Sequence, residues 1–317
     1  MSRSLVSIVI AAYRSKPEHL LAAVESARAQ TWHELEILVS DDSPTSALQS
    51  VVEGLADSRI RYFHHSPALG VARNHWWCFG RSNGEYIAIL NHDDLLEPEF
   101  VEALVGPLIC DGSLALAFCD HWIVDSVGRR LVAETESASR AWGRKDLREA
   151  AHRPFLLLLA AQAIPMAMGT VFRKAALPAR LPDHAGPAYD LWLTYLLARN
   201  GLGAFYVARR LSAWRTHEGN LTSRSSIDWL LGAADCWRAV ADDGMCTAIR
   251  AHALAKAARG HSSSALKAIL GGHSADGALL ARRSLSSSVT LRGLGTWGLS
   301  FLPLPVLLRL LALTQFR

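Results

Sequence analysis

The sequence predicts an α/β fold: a Rossmann-type sheet flanked by helices, followed by a mainly helical C-terminal region. Three stretches predict it. Residues 5–12, L-V-S-I-V-I-A-A, and residues 35–40, L-E-I-L-V-S, are apolar strand-like runs separated by a helical pattern, and two such strands joined by a helix make a β-α-β unit. Residues 86–90, Y-I-A-I-L, suit a central strand covered on both faces. Beyond Asp228 the chain turns rich in Ala, Leu and Arg with Ser-Gly interruptions around 260–264 and 271–277, which reads as several helices.

Composition sets the outer bounds. The chain has 317 residues, half of them apolar, enough to bury one large core or two unequal ones and too many for a disordered chain. Its 33 Lys and Arg against 29 Asp and Glu leave a net charge of +4. That balance is too even for a nucleic-acid-binding surface and suits weak attraction to anionic substrates or lipids. The five cysteines, Cys78, Cys110, Cys119, Cys236 and Cys246, form no C-x-x-C pair and leave an odd member. Neither a zinc site nor a disulfide framework is expected, and a cytoplasmic, reducing setting is the default. Residues 5–12 are short for a secretion signal and are better used as the first strand.

In order, the first strand turns at Tyr13-Arg14-Ser15-Lys16-Pro17 into a helix at 18–29, with Leu20, Leu21, Val24 and Ala27 as its apolar stripe. The second strand ends in Asp41-Asp42-Ser43-Pro44. A third strand at 60–63 is followed by Leu69-Gly70 and a helix running to about Arg81, and the fourth strand ends in Asn91-His92-Asp93-Asp94. Ligands of open α/β sheets bind at such strand ends. Hard oxygen ligands there can hold a divalent cation, and a cation can neutralise a diphosphate leaving group. The competing reading makes Asp93 or Asp94 a cap for a helix beginning near Glu97-Pro98, and Asp41 or Asp42 a cap for a helix after Pro44.

Four segments in register resemble family 2 glycosyltransferases, the inverting, nucleotide-sugar-dependent enzymes of the GT-A fold. V-S-I-V-I-A-A-Y is similar to the family's first strand; S-A-R-A-Q-T-W-H-E-L-E-I-L-V-S-D-D-S to its S-x-x-x-Q-T-x-x-x-x-E-I-x-V-x-D-D-G-S; the segment from Leu69 to Asn74 to its G-x-x-x-A-R-N; and L-N-H-D-D-L-L-E-P to its L-D-x-D-D-x-x-x-P. Looser likenesses follow at 169–174, at Tyr189-Asp190-Leu191-Trp192-Leu193 and at Trp214-Arg215-Thr216-His217, so the resemblance covers about 5–222.

The resemblance implies a GT-A-like catalytic domain at 1–222, with a nucleotide-sugar half at about 1–98 and an acceptor half at about 99–222, followed by a helical region at 223–317 with an apolar tail at 293–317. It implies inverting transfer of a sugar from a UDP-, dTDP- or GDP-sugar to a hydroxyl of a glycan or glycolipid acceptor, in surface polysaccharide or lipopolysaccharide assembly on the inner face of the cytoplasmic membrane. Asp41 or Asp42 would contact the base, flanked by Ala11 and Tyr13. Arg73 would reach ribose or diphosphate. Asp93, with Asp94 second, would bind magnesium or manganese, and His217 would approach the metal. Arg215 would add a charge-assisted contact to phosphate, and a loop carrying Gly219 and Asn220 would close over the donor.

Asp190 would be the base that takes the acceptor's proton, with a helix cap as its competitor. Two departures from the pattern stand out. Asn91 replaces an acid but would still accept a hydrogen bond from the donor's ribose, and His92 fills the variable place, which would favour manganese if His92 faces the site; neither Tyr189 nor Ala188 supplies the acid usual beside the catalytic Asp. A catalytically inactive binding or scaffold protein is therefore a second reading. A sugar nucleotidyltransferase is a third, for which A-A-Y-R-S-K-P is a poor phosphate loop.

Residues 154–172 carry no charge across nineteen positions but contain Gln162 and Pro165, so a buried helix followed by a strand is expected rather than a membrane span. The tail contains Pro303 and Pro305, which disfavours a spanning helix. Trp297, Phe301, Phe316 and flanking arginines suit a membrane surface. An arm packed on the core, or on another subunit of an oligomer, accounts for the same residues.

Overall fold

The apolar run at 5–12 forms strand β1 (Val6–Ala12), buried except for half-buried Ala11. Pro17 opens helix α1 (Pro17–Arg28), where its fixed φ and missing N–H cost nothing. The chain continues through β2 (Leu35–Asp41), α2 (Gln49–Glu53), β3 (Ile60–His64), α3 (Val71–Arg81) and β4 (Tyr86–Asn91). It then forms β5 (Leu95–Leu96), α4 (Phe100–Cys110), β6 (Leu114–Val124), α5 (Val132–Ala141), β7 (Ala150–His152), α6 (Leu156–Ala161), β8 (Thr170–Arg173), α7 (Tyr189–Ala198) and β9 (Gly203–Arg215). The computed structural model describes residues 4–216 and 226–306.

Among the described residues these strands make one sheet in the order β3-β2-β1-β4-β8-β6-β9-β5, with β7 added against β9. The first four are parallel, β8 runs antiparallel between β4 and β6, and β6 and β9 are parallel. This is the mixed α/β architecture the sequence predicts. Helices α1 and α4 cover one face through Leu20, Val24, Phe100 and Leu104, packed on Ile8, Ile10, Leu90 and Val171. On α3, Phe79 meets Phe172 edge to face, with ring centroids 5.4 Å apart.

The chain divides into two units, Met1–Asp183 with Tyr189–Asn220, and His184–Ala188 with Leu221–Arg317. In the second, Ser226 caps α8 (Ile227–Asp242) by accepting from the Trp229 amide at 3.1 Å, and α9 (Arg250–Leu270), α10 (Ser274–Ser287) and α11 (Leu291–Leu299) follow.

Several local expectations are corrected. Helix α4 starts at Phe100 with no side-chain cap, because Leu95–Leu96 first pairs with β9 as β5; neither Asp93 nor Asp94 caps it. Helix α2 starts at Gln49, also without a side-chain cap. The break expected at 260–264 is absent, since α9 runs through it. Gly260 is there for packing: an added Cβ would stand 2.8 Å from the Ala234 Cβ. The break at 271–272 is real, with Gly272 at a φ of 85°, where a side chain is disfavoured. Residues 154–172 give α6, a left-handed Gln162 at its end, and then β8.

Candidate functional site

The parallel register brings the ends of three neighbouring strands together. Ala11 pairs with Ser40 on one side and Asn91 on the other, and Ala12 pairs with Asp41. The acids after β2 and after β4 therefore flank the end of β1, at the edge where open α/β sheets take ligands. Tyr13 follows with its ring exposed and the Arg14 guanidinium 5.3 Å from the ring centre.

Asp41 is buried, and its oxygens accept from the Ser43 amide at 2.8 Å and the Tyr62 hydroxyl at 2.6 Å. Burial and this bond push the Tyr62 phenol up. Asp42, also buried, accepts from the amides of Leu69 at 3.1 Å and Gly70 at 2.8 Å. It thus ties the end of β2 to the turn that opens α3, where Gly70 holds a φ of 86°. Asn74, one turn into α3, donates to the Ser40 carbonyl at 3.0 Å and accepts from the Ser40 hydroxyl. Between them, Asp42 and Asn74 orient the first turn of α3 and its exposed Arg73, which lies 3.9 Å from Asp183.

The loop after β4 is braced from within. Asp94 is buried; one oxygen accepts from the Asn91 amide group at 2.8 Å and the other from the Arg215 backbone N–H at 2.9 Å. Burial first, and then the neighbouring Asp93 carboxylate, raise the Asp94 pKa well above the usual carboxylate range. Arg215 is buried too, its guanidinium donating to the carbonyls of Asp93 at 2.8 Å and Ser126 at 3.1 Å. Arg215 thus braces the loop's backbone, and each Asp94 oxygen accepts a bond from within the protein. Asn91, the departure from the family pattern, can donate to Asp94 where a carboxylate could not.

Asp190 lies in the first turn of α7, and its carboxylate accepts from the Leu191 amide at 2.8 Å. Burial raises its pKa from the ordinary Asp value. The preceding Tyr189 stacks on His75, with centroids 4.2 Å apart and planes 21° apart. Burial first, then the charges of Asp190, Asp94 and Asp93, raise the Tyr189 pKa, so one ring lies within electrostatic reach of the proposed base and both loop acids. His75 Nδ1 is 2.8 Å from the Val71 carbonyl, its Nε2 is buried without a hydrogen-bond partner, and burial lowers its pKa to about 4.

Among the described residues no three His, Cys, Asp or Glu side chains group closely enough to hold a metal ion. His217, Gly219 and Asn220 lie outside the described residues. The Asp93–Asp94 pair nevertheless has the donor chemistry of a magnesium or manganese site completed by substrate phosphates, which needs only one or two carboxylates. Like-charged neighbours that raise a pKa are the electrostatic condition a cation relieves.

Comparison with known proteins places this arrangement. Residues 7–158 match the family described as "Glycosyl transferase family 2". That segment belongs to glycosyl transferase family 2. The glycosyltransferase segment is 39% identical over 90 residues to the Escherichia coli UDP-Glc:alpha-D-GlcNAc-diphosphoundecaprenol beta-1,3-glucosyltransferase WfaP, covering 28% of this chain and 36% of that protein. It is 30% identical over 136 residues to the Rhizobium meliloti succinoglycan biosynthesis protein ExoO, covering 42% and 38%. The matches thus span little more than a third of these relatives. In fold, the chain is similar to S. aureus TarS 1-349 in complex with UDP-GlcNAc, with a TM-score of 0.68 at 15% identity over 90% of this chain and 82% of that one. It is also similar to the Pyrobaculum calidifontis mannosyltransferase PcManGT in complex with GDP-Man and Mn2+, with a TM-score of 0.58 at 13% identity over 94% and 84%.

Three site features were missed in the sequence. Tyr62 and His75 have no local signal, since their partners come from other elements. Asn74 sits in the A-R-N segment, where a polar residue beside an apolar helix face signals a buried bond.

Proposed function

We propose that this chain is an inverting glycosyltransferase that moves a sugar from a nucleotide-diphosphate donor to a hydroxyl of a glycan or glycolipid acceptor in surface polysaccharide assembly. What supports the reading is that the acids after β2 and β4 flank the end of β1, and that Tyr189, next to Asp190 in the chain, lies within electrostatic reach of Asp93 and Asp94. A UDP-sugar is the first donor to test, because the E. coli relative is named for UDP-Glc and TarS was solved with UDP-GlcNAc.

Asp190 accepts the acceptor's hydroxyl proton on one carboxylate oxygen as that hydroxyl attacks the anomeric carbon opposite the nucleotide. Its raised pKa makes it a stronger base than a solvated Asp. Ala11 and Tyr13 flank the base at the end of β1, and the Asp41-Asp42 segment sets the wall on which it rests. Arg73, exposed on the first turn of α3, adds positive charge on the side of the leaving diphosphate. Asp94, Asn91 and Arg215 hold the loop that presents Asp93. A divalent cation, held through Asp93, supplies charge to the leaving group when bound.

The test is transfer by folded Asp190→Asn over a panel of UDP-, dTDP- and GDP-sugars with manganese. The expected loss is on the order of a hundredfold or more, with nucleotide binding by thermal shift unchanged; wild-type rates would remove Asp190 from the role. Wild-type protein that binds nucleotide but turns over no donor would favour the scaffold reading.

A further inference from the structure

Helix α11 is packed with its faces exchanged. The residues it buries are small or polar, Gly293 and Thr296, followed by Ser300 just past its end. Thr296 shares a buried hydrogen bond of 3.0 Å with Ser262 of α9, and a Cβ on Gly293 would stand 3.0 Å from Leu285. The large apolar residues face solvent: Leu291 is 89% exposed, Phe301 65% and Trp297 36%, with Leu294 also exposed and Val289, just before the helix, at 76%. An amphipathic helix serving only its own fold does the opposite. Spacing at 291, 294, 297 and 301 keeps these side chains on neighbouring turns.

Charge is segregated in the same direction. Residues 244–317 hold nine Lys or Arg against Asp276 alone, whereas residues 1–243 hold 24 against 28 acids. From 277 onward there are five arginines and no acid; Arg282 and Arg283 on α10 and Arg292 on α11 are exposed. Such asymmetry between the parts of a chain points to a polyanionic partner. A second copy of the same face is a poor partner, because a two-fold contact sets the patch against itself and brings arginines against arginines. A bilayer bearing anionic headgroups meets both halves of the surface, apolar side chains below and arginines at the phosphates. No helix among the described residues is long and apolar enough to cross a membrane, so the contact is one of lying on the surface.

We propose that α10 and α11 dock the helical unit on an anionic lipid surface, with Leu291, Leu294, Trp297 and Phe301 entering the headgroup boundary and Arg282, Arg283 and Arg292 meeting lipid phosphates.

The test is sedimentation of the full chain, without any sugar donor, with vesicles of phosphatidylcholine containing about one third phosphatidylglycerol and with phosphatidylcholine alone. Wild-type protein is expected to pellet with the anionic vesicles at low salt and to be released by high salt or neutral lipid. Arg282→Gln/Arg283→Gln/Arg292→Gln should partition roughly a hundredfold less well, from about a fivefold effect per arginine. Leu291→Asp/Phe301→Asp should lose binding while keeping its circular dichroism, since both sites are exposed. Wild-type protein that stays in the supernatant with anionic vesicles, or variants that pellet as well as wild type, would overturn the proposal. A wild-type dimer that Leu291→Asp/Phe301→Asp turns into a monomer, with no vesicle binding by either, would assign the face to a second copy. Because no donor is present, the outcome is independent of the transferase reading.

Discussion

The sheet unit closes its core with large side chains, Ile8, Ile10, Leu38, Leu90, Phe100 and Phe172 among them, whereas the helical unit sets a few large ones, Trp237, Val240, Ile249 and Ile269, among many small ones, Ala253, Ala257, Ala258, Ser264, Ala265, Gly277 and Ser284. Large side chains hold the strands through dispersion and apolar burial, and that close packing keeps the strand ends in place. Those ends then carry polar groups in fixed positions, as Asp42 and Asn74 show. Small side chains let helix backbones approach closely, as Gly260 against Ala234 and Gly277 against Ile269 illustrate. The two packings therefore suit different tasks: a platform for a site, and a support for a surface.

Exchanging sizes between the two cores is the strongest way to break the contrast. Leu38→Ala in β2, fully buried, should cost about 2–5 kcal/mol through lost transfer energy and a cavity, read as lost hydrogen-exchange protection across β1, β2 and β4. In the helical unit the sensitive change is the reverse one. Gly277→Leu puts a Cβ 2.3 Å from the Ile269 Cγ1, and should cost about 1–3 kcal/mol by overpacking, seen as lost protection in α9 and α10 with the sheet amides unaffected. Equal loss in both units from either substitution would show that they unfold as one.

The smallest expected effect is a proton linkage that belongs to the sheet unit. Burial first, partly offset by the bond to the Val71 carbonyl, holds His75 at about 4, below its ordinary 6.5. The unfolded chain binds this proton and the folded one refuses it, so the contribution to stability is complete above about 6.5 and is lost as pH falls towards about 4. At most one proton is involved, so the slope is no more than about 1.4 kcal/mol per pH unit. Urea unfolding of wild type and His75→Gln across this window should give a shallower slope in the variant; identical slopes would contradict the assignment.

The sequence made the opening strands legible because their apolar runs are uninterrupted and their ends are marked by Asp41-Asp42 and Asp93-Asp94. Position along the chain could indicate which acids stand at a strand end. It could not say how far adjacent acids are engaged within the protein, since the partners of Asp42 come from 27 and 28 residues away and Arg215 reaches Asp94 across 121. Glycine was misleading for a related reason. Gly260 reads locally as a helix break, yet its purpose is the approach of another helix, which lies beyond the reach of local propensity.

The bond from Arg215 to Asp94 also sets an order in time. A ribosome delivers β1 to β4 and the Asp93–Asp94 loop long before β9 exists, so the nascent chain carries the Asp94 carboxylate without the Arg215 amide that donates to it, and the Asp93 carbonyl without the Arg215 guanidinium. The sheet can begin to form from its N-terminal half, as domains do during synthesis, but the candidate site closes only when the last strand arrives. Assembly of the chemistry is thereby reserved for a chain that has been made at least as far as Arg215.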